Sequence, residues 1–330
     1  MGRGSFANHP EVAEAMAAAA LGRSNAVDVV VGGLFAYAAV ESSVLLGPVQ
    51  ILVGGPGAGL QAIDGRVRQP GLGAPRPRGF VAGEAIPAAA SVGVPCFASA
   101  VLSALAAYGT RTINQAVSPA IDVAKGHDDE RAKVIAQVAR HGPTFLGRPE
   151  VGPLLLERFG RLAGGLLTEG DLVATAPTVE TVPIYKADGN GDARPEFALL
   201  PNASSARNPG ATRLALVMAV DAHGLFCTAV AEIHAESLRV EELGLTMPQL
   251  AEPVLRGEPR ITPGTPRPSS APIALVGHRS VWELALATSG PIDRALATAV
   301  ELIAGGNLTP AQPGSPPVHA LFASGSVRTV

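Results

Sequence analysis

Glu232 and His234 stand two residues apart near the end of an apolar run, Leu225 to Ile233, and are the residues best placed to do chemistry. Side chains alternate along a strand, so a carboxylate and an imidazole at this spacing share one face. Buried ionisable groups are costly unless paired, and a Glu/His couple in a cleft is a ready acid–base pair. The structural alternative is that the strand emerges into solvent after Ala231, with Glu236 continuing its polar face. Two other stretches imitate ligand loops. Gly54-Gly55-Pro56-Gly57-Ala58-Gly59 is glycine-rich but is followed by neither Lys-Ser/Thr nor a helix start, so it reads as a hairpin connection rather than a phosphate cradle. Asp188-Gly189-Asn190-Gly191-Asp192 lacks the alternation and distal Glu of a calcium loop and reads as a hairpin tip. No metal site is expected. Cys96 and Cys227 lie in apolar runs and read as core.

These residues need elements to hold them. The runs Leu214 to Val220 and Leu225 to Ile233 flank Asp221-Ala222-His223-Gly224, which predicts a buried β-hairpin. Upstream, an alanine-rich stretch over 11–21 with Pro10 at its start predicts a helix. Ser24 or Asn25 can cap a second helix over 26–40, apolar nearly all round and therefore internal. Strands are expected at 49–54 and 60–67, with a Pro/Gly/Arg-rich loop over 70–78. Helices follow at 96–108, 113–125, 128–141, 151–158 and 161–167, and Thr168 to Asp171 ends that block. A strand pair is predicted at 181–185 and 196–200, then a linker over 201–210. The last third holds strands at 273–277 and 282–287 and a helix at 292–303. Helices gathered in blocks beside antiparallel strand pairs indicate the α+β class.

Composition sets the limits. Apolar residues make up 47% and charged ones 16% of the 330 residues, which fits a large core under a thin charged surface. A formal charge of −3, with no Lys/Arg cluster interleaved with aromatics, argues against nucleic acid. The N-terminus MGRGSFANHPE has no cationic and apolar segments of a signal peptide, and no apolar run is long enough to span a bilayer. A cytoplasmic protein without a cofactor is expected, and a homo-oligomer is compatible with the composition.

A series of motifs, each weak alone, occurs in a telling order. Asn8-His9-Pro10, Ser24-Asn25-Ala26-Val27-Asp28, Val40-Glu41 with Gly47, Asp64-Gly65-Arg66, Gly93-Val94-Pro95, Leu167 to Leu172, Arg267-Pro268-Ser269-Ser270-Ala271-Pro272 and Val220-Asp221-Ala222-His223-Gly224 together resemble the γ-glutamyltranspeptidase-like family. The resemblance spans nearly the whole chain. It implies the αββα sandwich of the N-terminal nucleophile hydrolases, with residues 1–205 corresponding to the large-subunit region and 206–330 to the small one, together one domain.

The resemblance also implies amide cleavage by a threonine that self-cleavage frees at the start of a strand, its own amine acting as base. That position is occupied here by Leu214. Thr212 lies two residues upstream on the same strand face, and a bulge or slipped register would bring it into the site as nucleophile. Glu232 and His234 fall where the family has a second threonine and the asparagine that holds the donor amine. Arg66 corresponds to the arginine that grips the donor carboxylate, assisted by Ser269 and Ser270. Ser289 and Gly290 correspond to the oxyanion hole. The acidic residue that anchors the donor's α-amine has no counterpart in Gly244 to Gln249. The expected substrate is therefore a small carboxylate-bearing amide or lactam, not glutathione. The alternative is a relative that has lost cleavage and binds a small molecule or a partner subunit.

Overall fold

A computed structural model describes residues 2–77, 79–173, 175–186, 195–200, 213–235, 237–279, 281–303 and 315–330. Two six-stranded antiparallel sheets stack face to face. The first has the order β1 (Gly2–Ala7), β7 (Arg213–Asp221), β8 (Phe226–Ile233), β2 (Val49–Gly55), β3 (Gly59–Gly65), β4 (Thr178–Thr181). The second runs β14 (Val327–Thr329), β13 (Val318–Phe322), β12 (Val281–Thr288), β11 (Ile273–His278), β6 (Glu196–Leu199), β5 (Ile184–Lys186). A separate ribbon pairs β9 (Ser237–Val240) with β10 (Leu245–Pro248).

Burial explains the layers. On the first sheet, Leu214, Leu216, Met218, Leu52 and Val230 meet Ile273, Leu275, Trp282 and Ala285 of the second, forming the inner core. The alternate residues Ala215, Val217, Val49, Ile51 and Cys227 pack outward on helices. Against the sheet lie α1 (Pro10–Ala19), α2 (Ala26–Val40) and α3 (Phe97–Tyr108), and α4 (Ile113–Lys125), α5 (Asp129–His141), α6 (Gly152–Phe159) and α7 (Glu169–Val173) complete the helical layer around them. On the far side α8 (Ile292–Ile303) covers the second sheet through Ala295, Ala299 and Leu302. The result is the expected αββα sandwich.

The apolar helix α2 has 13 of its 15 residues buried, as an all-round apolar sequence requires. It lies between β7 and β8 on one side and α1, α3 and α4 on the others. Asn25 starts it with a reciprocal capping box to Asp28. Asp28 also accepts from the backbone N–H groups of Thr110 and Arg111, which fixes the start of α2 to the α3–α4 connection.

Three expectations need correction. The single strand predicted over 181–185 is divided: β4 pairs with β3 in one sheet and β5 with β6 in the other, so the chain crosses between sheets near Val182 and Pro183. Thr168 to Asp171 does not end a helix but begins α7, with Thr168 and Asp171 capping each other. The helix predicted over 161–167 is a short 3-10 turn, Arg161–Ala163. The 201–210 linker and the 188–192 tip fall outside the described residues. Among the described residues, no helix is long and apolar enough to cross a membrane and no His/Cys/Asp/Glu group is arranged to hold a metal.

Candidate functional site

The β7–β8 hairpin is built as its sequence predicts. Asp221 accepts from the N–H groups of His223 and Leu225, and Gly224 takes the left-handed conformation that the turn demands. Pairing runs in register from Val220 opposite Phe226 to Arg213 opposite Ile233, which sets Leu214 directly across from Glu232. Leu214 is buried and fills the position that the resemblance assigns to a nucleophile. Thr212, the alternative nucleophile, lies outside the described residues.

Glu232 and His234 do not emerge into solvent. Their side chains are 1% and 2% exposed, and Glu232 Oε2 lies 3.0 Å from His234 Nε2. The other carboxylate oxygen, Oε1, accepts the Ser270 backbone N–H at 2.6 Å. A backbone donor and an imidazole together offset the cost of burying the carboxylate. The backbone is held as well: Glu232 N–H donates to Pro48 O, and His234 N–H donates to Ser43 Oγ. Gly47 permits this approach, because a Cβ there would stand 2.7 Å from Ser43 O and 3.3 Å from Glu232 O.

Arg66 reaches the same end of the sandwich. Gly65, Val49 and Ala231 occupy one register row across β3, β2 and β8, so Arg66 and Glu232 each lie one residue beyond it, roughly 10 Å apart at two strand spacings. The segment bearing Ser269 and Ser270 bridges that gap: Arg267 N–H donates to Val67 O at one side and Ser270 N–H to Glu232 at the other. Both serines are buried. Ser289 and Gly290 follow β12 close by, where Thr288 N–H donates to Pro272 O.

Two groups expected to bind a substrate are engaged within the protein. The Arg66 guanidinium grips the Asp64 carboxylate through Nε and Nη2, with the closest contact at 2.7 Å. The Gly290 N–H donates to Thr288 Oγ1 at 3.0 Å. Asp64 takes the Nε/Nη2 side of Arg66, and Nη1 makes no hydrogen bond among the described residues, so a ligand carboxylate meets the Nη1 side or exchanges with Asp64. An oxyanion at Gly290 competes with Thr288 Oγ1.

Two residues not singled out from the sequence support the site. Asn8 Nδ2 donates to Leu214 O at 2.8 Å, and its Oδ1 accepts from Leu216 N–H and from the Tyr37 hydroxyl. It thus fixes the first residues of β7 to α2. Gln50 sits opposite both Asp64 and Val230, is 3% exposed, and its Nε2 has no partner among the described residues. A lone glutamine in the apolar run 49–54 was the available signal for it. Asn8 was visible only as part of a motif, since its partners lie some 30 to 200 residues away in sequence.

No protein-family model matches the chain, and no curated protein matches it. Solved structures do. Cephalosporin acylase from Bacillus halodurans aligns with a TM-score of 0.66 over 92% of this chain and 80% of that one, at 12% identity. LmbA2991HD gives 0.62 over 95% and 83%, at 14% identity. The γ-glutamyltranspeptidase from Pseudomonas nitroreducens complexed with L-DON gives 0.50 over 61% and 71%, at 20% identity. At such identities the likeness is one of architecture alone: the chain shares the fold of this cephalosporin acylase and of the γ-glutamyltranspeptidase.

Proposed function

We propose that this chain, an αββα protein on the γ-glutamyltranspeptidase-like plan, is an amidohydrolase that cleaves an amide or lactam bond of a small anionic substrate other than glutathione. The observation that carries the reading is the buried contact between Glu232 and His234 at the sheet end where β7 begins. In this reading a nucleophile adds to the amide carbonyl carbon while its proton passes to the Glu232/His234 pair. The tetrahedral centre then collapses, the C–N bond breaks, and the pair returns the proton to the leaving nitrogen. The nucleophile is a water held by the pair, or the hydroxyl of a Thr212 whose amine is freed by cleavage before it. In the second case the acyl group rests on Thr212 as an ester until a water, giving its proton to the pair, adds to it. The ester C–O bond then breaks, the acid is released and the proton returns to the Thr212 oxygen.

Arg66 is assigned to the substrate carboxylate, which would meet its Nη1 side or exchange with Asp64 for the guanidinium fork. Ser269 and Ser270 flank that exchange. Ser289 and Gly290 are assigned to the developing oxyanion.

A second reading has its own support. Side chains at 1% and 2% exposure, with one side of the Arg66 guanidinium already filled by Asp64, suit a protein that binds a small molecule or partner without turnover. Intact-protein mass, combined with a panel of small amides and lactams bearing a carboxylate, separates the readings. Two fragments divided before Thr212, with hydrolysis, assign the attack to Thr212. An uncut chain that hydrolyses a panel member assigns it to water. An uncut chain that is stabilised by a panel member but turns none over supports binding alone.

A further inference from the structure

A cavity lies at the end of the sandwich away from Glu232. The β2–β3, β7–β8 and β11–β12 hairpins end there, and between them opens a cleft of about 590 Å³. Glu232 is six residues from Phe226 along β8, so the cleft and the Glu232/His234 pair are separated by roughly 20 Å of strand. Pro56, Leu60, Ile184, Val281 and Ala323 give the cleft an apolar wall. Its volume is that of a site for one small molecule.

Two polar groups enter this wall. Trp282 is 6% exposed as a residue, and its indole N–H, which has no hydrogen-bond partner among the described residues, is not fully enclosed and so is open to the solvent of the cleft. The nitrogen edge rests over Gly54, where a Cβ would come within 2.9 Å of Nε1. His223, exposed on the β7–β8 turn, places an imidazole at the rim. Of the neighbouring carboxylates, Asp221 is turned into its own hairpin and accepts from His223 and Leu225 N–H, and Glu283, next to Trp282, lies 3.1 Å from His278 Nδ1. Two residues before Val281 of the wall, the β11–β12 turn carries Arg279, exposed and held at a left-handed φ of 49° that non-glycine residues rarely adopt.

We propose that this cleft binds a compact apolar carboxylate. Its hydrocarbon body fills the space between Leu60, Ile184 and Val281, and a carboxylate oxygen accepts the Trp282 indole N–H. His223 and Arg279 make the rim favourable to an anion. An apolar molecule without an acceptor would leave the indole N–H unpaired, and a cation would meet the wrong charge. Nothing in this proposal depends on the chemistry at Glu232.

Trp282 is the only tryptophan in the chain, so its fluorescence reports the site directly. Hydrocinnamate is the probe and hydrocinnamyl alcohol its uncharged control. The acid is expected to change the indole emission saturably and at about tenfold lower concentration than the alcohol, as loss of a charge-assisted hydrogen bond implies. Val281→Glu, at a position 65% exposed and so safe for folding, is expected to weaken the acid about tenfold or more and the alcohol by clearly less, since both lose the apolar contact but only the acid meets a like charge. His223→Ala is expected to weaken the acid alone. Equal binding of acid and alcohol, full binding of the acid to Val281→Glu, or no saturable change in emission overturns the proposal. So does sedimentation showing a second copy of the chain seated on this face.

Discussion

Glu232→Gln keeps the shape of the buried pair but removes its charge, whereas Glu232→Ala leaves the Ser270 N–H and the His234 ring facing a void. The alanine variant is expected to lose about 2–4 kcal/mol of stability and the glutamine variant clearly less, measured by denaturant unfolding. Equal losses would show that the pair is mere packing. Asn8→Ala, which gives up bonds to Leu214 O, Leu216 N–H and Tyr37, is expected to cost about 1–3 kcal/mol in the same assay. At this scale the sequence was informative wherever an ionisable side chain interrupts an apolar strand, as at Glu232 and His234. It could not reveal that Asp64 occupies Arg66 or that Thr288 occupies Gly290. Both motifs carry the right residue types, and only the folded geometry decides which acceptor each donor meets.

Among the elements, α2 and α5 offer a direct test of how the helical layer is held. The Arg131 guanidinium is buried and donates to Gly244 O at 3.0 Å and to Ala39 O at 2.6 Å, closing the carboxyl end of α2. Desolvation lowers its pKa. An ammonium cannot span both carbonyls in the same fork, so Arg131→Lys is expected to destabilise nearly as much as Arg131→Met, by about 1.5–3 kcal/mol in thermal or denaturant unfolding. Full stability in the lysine variant would assign the site to charge alone. The helices were legible because their propensities, caps and periodicity agree, as at Asn25 and Asp28 of α2. Strands β1, β9, β10, β13 and β14 were not. Gly2–Ala7 is glycine-rich, and Ser237–Val240 and Val327–Thr329 are short and mostly unburied, so none carries an alternating signal. The crossing between β4 and β5 is likewise invisible, since adjacent extended residues look alike whichever sheet they join.

For the molecule as a whole, two buried thiols and one half-buried histidine set a pH window. Burial pushes the Cys96 thiol up to about 11 and raises that of Cys227 as well. In the unfolded chain both thiols ionise near ~8.5, so the stability that they retain below that value is lost as pH rises towards about 11. Burial lowers the pKa of His319, stacked on Phe6 at 4.4 Å. Below ~6.5 the unfolded chain takes up a proton that folded His319 resists, so stability falls on the acid side. Thermal midpoints are expected to plateau between about pH 6.5 and 8.5. A midpoint still rising above pH 9 would contradict this assignment. The same burial predicts that neither thiol reacts with an aromatic disulfide reagent in the native protein, and that both react after unfolding.

The αββα architecture encloses the Glu232/His234 contact at one end of two stacked sheets, and we propose that this pair works on an amide bond. The most direct measurement is the turnover of a carboxylate-bearing amide or lactam by the wild-type chain and by Glu232→Gln and His234→Asn, each first shown to be folded by its thermal midpoint. The account predicts wild-type hydrolysis and a fall in kcat of about 10²–10⁴-fold in both variants. Wild-type rates in both folded variants would contradict it, as would the absence of any turnover across the substrate panel.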